Sequence, residues 1–165
     1  MKILGLDIST ACTGYAVKED GYIRVGHIKT PYKLKSFSAL LYQAENIKKL
    51  IEEEKPDIMV IEDTYLKENF KTVKLMNMLR GYVYVYSVFK GIEVHPNYNT
   101  VHARRILGLK GINKRGLTRK QRKEKVMQFL ASLGYKVEQD DEADALILVL
   151  AFEKERRLKW EKPMK

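Results

Sequence analysis

Apolar residues fall in short runs broken by turn residues near the start of the chain and recur at helical spacing further on. Residues 2–8 predict a buried strand, with Ile3, Leu4 and Leu6 around a small Gly5. STACTG (9–14) reads as a turn, GYAVKE (14–19) as a paired second strand, and Asp20-Gly21 as a hairpin signal before a third strand, YIRVGHIKT. Ser36 or Ser38 is the candidate cap of a helix running to about Lys55, with Leu40, Leu41, Ala44, Ile47, Leu50 and Ile51 as its apolar stripe. Pro56 and Asp57 stop it, and IMVIE (58–62) predicts a short, fully apolar central strand. A second helix is expected over 69–90, with Val73, Met76, Leu79 and Val83 at helical spacing and Gly81 weakening it.

IEVH (92–95) predicts a fifth strand ended by Pro96, followed by helices over 98–107 and 118–133 on either side of the loop GLKGINKRG. A last helix is expected over 141–159. Three strands in a meander, then strand–helix–strand crossovers, predict an α/β fold with a mixed five-stranded sheet and helices on both faces. The chain reads as one domain, 1–160, with a charged tail, EKERRLKWEKPMK, that frays and a terminal piece, 161–165, outside the domain.

At 165 residues and 45% hydrophobic composition the chain is long enough for a proper core. No apolar run is long enough to span a membrane, and the N-terminal apolar run is interrupted by an acid, so neither a membrane partner nor a signal peptide is expected. The single cysteine, Cys12, fits a reducing cytoplasm, and the three histidines show no zinc spacing. Charge changes the picture more. Residues 104–125 hold ten Lys or Arg against Glu124 alone, a net +9 of the chain's +10. Dispersed charge serves solubility, whereas focused charge points to a polyanion, with nucleic acid the leading partner. A solvated helix face plus a basic loop is the plainer alternative.

Four acids sit at the ends of apolar runs. Asp7 closes KILGLD, Glu62 closes DIMVIE, and Asp141 and Asp144 open DEADALILVLAF. Ionised carboxylates are rarely buried without a cation. With the first and fourth strands parallel neighbours, Asp7 and Glu62 stand at adjacent C-terminal ends, and acids three apart share one face of a helix's first turn. Glu142, one position on, is expected at the surface. Each acid also has a structural alternative: a turn aspartate for Asp7, a strand-end salt bridge for Glu62, helix capping for Asp141 or Asp144. Taken together they predict an oxygen-ligand site for two Mg²⁺ ions, with Mn²⁺ a substitute, able to bracket a phosphodiester. Cys12 reads as a small buried residue, not a nucleophile.

The ordered set ILGLDIST-x₃-GYAV, VIEDTYLKEN, LRG, HARRILG and DEADALILVL, over residues 2–152, resembles the RuvC-type Holliday junction resolvases of the ribonuclease H/integrase-like superfamily. The resemblance implies a ribonuclease H-like fold and a metal-dependent endonuclease that cuts four-way DNA in recombination and repair. It implies that Asp7, Glu62, Asp141 and Asp144 are a catalytic tetrad for two divalent ions. Tyr65 falls where the family carries an aromatic that enters the open junction centre, where a ring can stack on a base; a core aromatic is the alternative. Lys120 matches a family catalytic lysine by position, and Arg104 and Arg105 stand near a second basic position. With Lys114, Arg115, Arg119 and Lys123 they form the expected DNA-binding set. KRGLTRKQRKEK is more basic than in the bacterial members, a departure that fits a phage-type member with looser structural selectivity. A location in the bacterial cytoplasm, or in the host cell for a phage protein, is implied.

The 69–90 helix, apolar on more than one side, is either a domain-core helix or a dimer seam, and the family implies a homodimer through it. Three other readings stay open on the residues alone. GLDIST-x₃-G also resembles the phosphate loop of actin-like ATPases and sugar kinases, which need two such domains. A non-catalytic nucleic-acid-binding module needs only the basic segment, and a related nuclease of other branched DNA or RNA–DNA hybrids shares the acids.

Overall fold

The computed structural model describes residues 1–63, 70–109 and 117–160. Five strands form one mixed sheet in the order β3-β2-β1-β4-β5: β1 (Lys2–Asp7), β2 (Cys12–Glu19), β3 (Tyr22–Lys29), β4 (Ile58–Glu62) and β5 (Glu93–Tyr98). The first three form the expected antiparallel meander, while β4 runs parallel to both β1 and β5. The β2–β3 hairpin turns at Asp20 and Gly21, both at positive φ, the geometry that suits the strands' own twist. β2 begins at Cys12, two residues before the sequence reading, which shortens the turn after Asp7.

The helices cover both faces of the sheet, as expected. α1 (Ser36–Glu54) and α2 (Phe70–Phe89) pack on one side over Leu4, Leu6, Met59 and Ile61. α3 (Thr100–Ile106), α4 (Arg119–Ser132) and α5 (Asp140–Trp160) pack on the other over Ile3, Ala16, Ile58 and Val60. α5 is the spine of that second layer, with Ala145 to Val149, Ala151 and Phe152 all buried. It rests directly on β1, because a Cβ on Gly5 would stand 2.7 Å from the carbonyl oxygen of Ala145.

Several expectations are corrected. Lys35, not Ser36 or Ser38, caps α1; Ser38 reaches back so that its hydroxyl accepts from the Lys35 N–H at 3.1 Å. Leu41, assigned to the apolar stripe of α1, is 65% exposed. β5 continues through Pro96 to Tyr98, which its place at the sheet edge and the shift of register between Val60 and Glu62 permit. The charged segment from Glu153 does not fray: it continues α5 to Trp160, with Glu153 tied to Lys18 and Glu155 to Tyr98 and His102. Residues 161–165 lie outside the described residues.

Candidate metal centre and nucleic-acid interface

Asp7 ends β1 and Glu62 ends β4, at the same edge of the sheet because the two strands run parallel in register. Asp141 and Asp144 enter from the first turn of α5. All four line one cavity of about 540 Å³, together with the Ser9–Ala11 segment, Asp63 and Asp140. Four basic residues close the ring: Arg80 from α2, Arg104 from α3, and Arg122 and Lys123 from α4.

Glycine makes this approach possible. Asp7, Gly14 and His27 stand opposite one another across β1, β2 and β3. A Cβ on Gly14 would lie 2.0 Å from the carbonyl oxygen of Asp141. Only a residue without a side chain lets the α5 terminus settle onto β2 there. The STACTG-to-GYAV junction was the available signal, since a strand-interior glycine marks a close backbone approach.

The acids perturb one another. Burial and then the neighbouring Glu62, which shares a hydrogen bond with it, hold the Asp7 carboxyl well above its ordinary range, and Asp144 and Asp141 add to the effect. Asp144 is raised by burial against the opposing pull of Arg104, whose Nη2 donates to Oδ1 at 2.5 Å. Glu62 accepts from the Thr100 hydroxyl at 2.7 Å. Burial pushes the Cys12 thiol up to about 12, with Asp141 contributing, so it stays protonated and is no nucleophile at neutral pH.

Among the described residues no three His, Cys, Asp or Glu side chains are already arranged as a ligand set. The acids are gathered and repel one another, with the guanidinium of Arg104 set against Asp144. An all-oxygen set under that strain suits a hard divalent cation. The basic rim brings unfilled donors as well: Nε of Arg104 and of Arg122 are buried without a partner among the described residues.

The expected DNA-binding residues fall in different places. Arg104 and Lys123 line the cavity, Lys123 paired with Asp140, and Arg122 and Arg80, the latter from the LRG motif, join them although neither was among the expected DNA-binding residues. Arg80 donates to the carbonyl of Pro96 at 2.6 Å, and burial lowers its affinity for its proton against the acids nearby. Lys120 is exposed on the first turn of α4, outside the cavity lining, and Arg105 turns to His102. Tyr65, Lys114, Arg115 and the side chain of Arg119 lie outside the described residues. Glu142, expected at the surface, is 4% exposed: its two oxygens take His27 Nδ1 at 2.7 Å and the Glu138 N–H at 2.8 Å.

The fold matches that of a Thermus thermophilus RuvC in complex with a Holliday junction substrate, with a TM-score of 0.72, 16% identity and 99% of both chains covered. The yeast mitochondrial Holliday junction resolvase matches at 0.59 with 13% identity, over 96% of this chain and 80% of that one. In sequence, the crossover junction endodeoxyribonuclease RuvC of Syntrophomonas wolfei is 29% identical over 91% of this chain and 87% of its own. That of Thermomicrobium roseum is 27% identical over 92% of each. The family model described as crossover junction endodeoxyribonuclease RuvC matches residues 3–152, and the chain belongs to that family.

Proposed function

We propose that this chain is a structure-selective endonuclease that resolves four-way DNA junctions by paired phosphodiester hydrolysis, using two Mg²⁺ ions for which Mn²⁺ can substitute. The observation that carries the reading is the convergence of Asp7, Glu62, Asp141 and Asp144 from three elements on one cavity with a cationic rim. Family membership supports the substrate class, since its relatives are named crossover junction endodeoxyribonucleases.

Asp7, Glu62, Asp141 and Asp144 would hold the ions, which would supply an activated water and offset charge at the leaving 3′ oxygen. The chain's own residues prepare that step. Thr100 fixes one oxygen of Glu62 and leaves the other for the cavity. Arg104 pairs with Asp144 on the cavity lining, and its guanidinium is placed to meet a phosphate oxygen there. Arg122 and Lys123 approach from α4 as phosphate contacts, and Arg105 and Lys120, with Lys114, Arg115 and Arg119 on the strength of the charge clustering alone, are assigned to DNA binding. Tyr65 is assigned to stacking at the open centre of the junction.

We further propose a homodimer through α2. Leu75, Leu79, Val83 and Ser87 bury one face of that helix in the domain, while Tyr82, Val85 and Phe89 leave an apolar hollow on the other. A twofold pair of sites matches two opposed strands of a four-way junction.

The test is a labelled synthetic junction beside linear duplex, flap and RNA–DNA hybrid, each with Mg²⁺, Mn²⁺ or chelator. Symmetrical metal-dependent nicks in the junction are expected. An intact junction in both metals, or full cleavage by Asp7→Asn, overturns the proposal.

A further inference from the structure

We propose that His27 and Glu142 are positioning residues: their buried hydrogen bond fixes the first turn of α5 along the sheet and so sets where Asp141 and Asp144 stand relative to Asp7. This rests on the reading of those acids as the metal-holding set.

The bond belongs to a chain of donors and acceptors with no mismatch. Glu142 accepts at Oε1, so His27 donates from Nδ1. In the neutral imidazole its other nitrogen, Nε2, is then an acceptor and takes the Gln139 amide at 2.9 Å. The amide oxygen of Gln139 faces the Cys12 thiol at 4.0 Å. The second oxygen of Glu142 accepts from the Glu138 backbone. A buried carboxylate with both oxygens engaged has one low-energy position, and every group that holds it lies on β2, β3 or the approach to α5.

The location gives the network its consequence. His27 stands opposite Gly14, and Gly14 stands opposite Asp7, so one line across three strands joins the clasp to the first acid. The Asp141 carbonyl lies over Gly14, in the middle of that line. A glycine contact excludes side chains but does not stop a helix sliding along the groove. The His27–Glu142 bond supplies that stop, because Glu142 sits between the two acids on the same turn. The Glu142 carboxylate points to β3, away from the cavity that Asp141 and Asp144 line.

The experiment compares wild type with His27→Leu, which removes the donor, and His27→Asn, whose amide stands near the position of Nδ1. Four readouts are taken: Mn²⁺ affinity of the protein by calorimetry, junction affinity in chelator, kcat and KM for junction cleavage, and the melting temperature. Outer hydrogen bonds to a metal site typically carry about 10–100-fold in affinity or activity. His27→Leu is expected to lose that much in Mn²⁺ affinity and in kcat, with KM and chelator-phase junction affinity within about twofold of wild type. His27→Asn is expected to restore both to within about threefold. Unchanged Mn²⁺ affinity and kcat in His27→Leu overturns the proposal. So does an equal loss in both variants that tracks melting temperature and junction affinity, which marks a merely structural role. A wild-type protein that leaves the junction intact in Mn²⁺ sinks instead the underlying reading of the acids.

Discussion

Arg104 Nη2 lies 2.5 Å from Asp144 Oδ1, so the acid at the mouth of α5 is held by a guanidinium from α3. The pair is largely buried, at 16% and 24% side-chain exposure. Breaking such a pair from one side leaves an uncompensated charge and costs about 3 kcal/mol or more. Arg104→Met is therefore expected to lower the denaturation midpoint in chelator. Added Mn²⁺ should narrow the gap to wild type, because a cation replaces the missing guanidinium. Urea titrations with and without Mn²⁺ check both halves.

Asp7→Asn is expected to abolish cleavage and to stabilise the metal-free protein. The carboxylate it replaces is half-buried beside Glu62 and faces two further acids. Replacing that charge by a neutral amide should add on the order of 1–3 kcal/mol at neutral pH in chelator. Thermal melts read the gain, and gel assays the loss. A variant that melts below wild type would show that the acids do not strain one another.

Gly14→Ala separates access from chemistry. The added methyl meets the Asp141 backbone, which cannot yield without moving the start of α5. Misplacement of a reacting group by about 1 Å costs about 100-fold in rate. Cleavage is expected to fall at least that far, while junction binding in chelator persists through the basic rim. Gly91→Ala, at positive φ but with nothing within 4 Å of the new Cβ and away from the cavity, serves as the control for backbone strain alone: it should melt lower and leave cleavage intact.

Tyr98, Glu155 and His102 tie the exit of β5 to α3 and α5. Burial pushes the Glu155 carboxyl up, but the Tyr98 hydroxyl at 2.5 Å and His102 at 2.9 Å outweigh it and hold it below its ordinary range. A depressed folded-state value gives stability that is present above the unfolded carboxylate range and lost as pH falls through the folded value. Glu155→Gln should thus melt lower than wild type at neutral pH, by about 1 kcal/mol at this partly exposed site. The two curves should converge in acid, once the pH has fallen through the lowered folded-state value. A constant gap across that range would assign the loss to packing.

Val85→Glu with Phe89→Glu tests the α2 seam. Both side chains are exposed, Phe89 at 86%, so the single domain tolerates the change. Wild type is expected to sediment at about twice its 19.2 kDa chain mass and the variant as a monomer. Nicks in the two strands of a junction should then occur independently. Sedimentation combined with a plasmid-borne junction assay reads both.

Much of the fold was legible because its signals are local. The Asp20-Gly21 turn, the apolar IMVIE run and the helical stripe of α1 each specify an element by themselves. The placement of Asp7 and Glu62 followed from parallel strands alone. Glu142 was misread because helix spacing says only which residues share a face. It does not reveal that β3 presents a histidine to the opposite side of that turn. Arg122 and Lys123 share α4 with Lys120, yet which turn of that helix meets the acids depends on how α4 packs, and no residue pattern records it. β5 outran its expected stop because proline's penalty vanishes at a sheet edge.

The unbroken burial of α5 from Ala145 to Val149 makes core and chemistry share one rigid rod. A residue inserted into that stretch turns everything before it by about 100° relative to everything after. Tolerated length variation among natural homologues should therefore avoid this rod and collect at the β2–β3 hairpin tip, where Gly21 has open space around it. Indel-free phase along α5 is a hereditary constraint that point substitutions would never reveal.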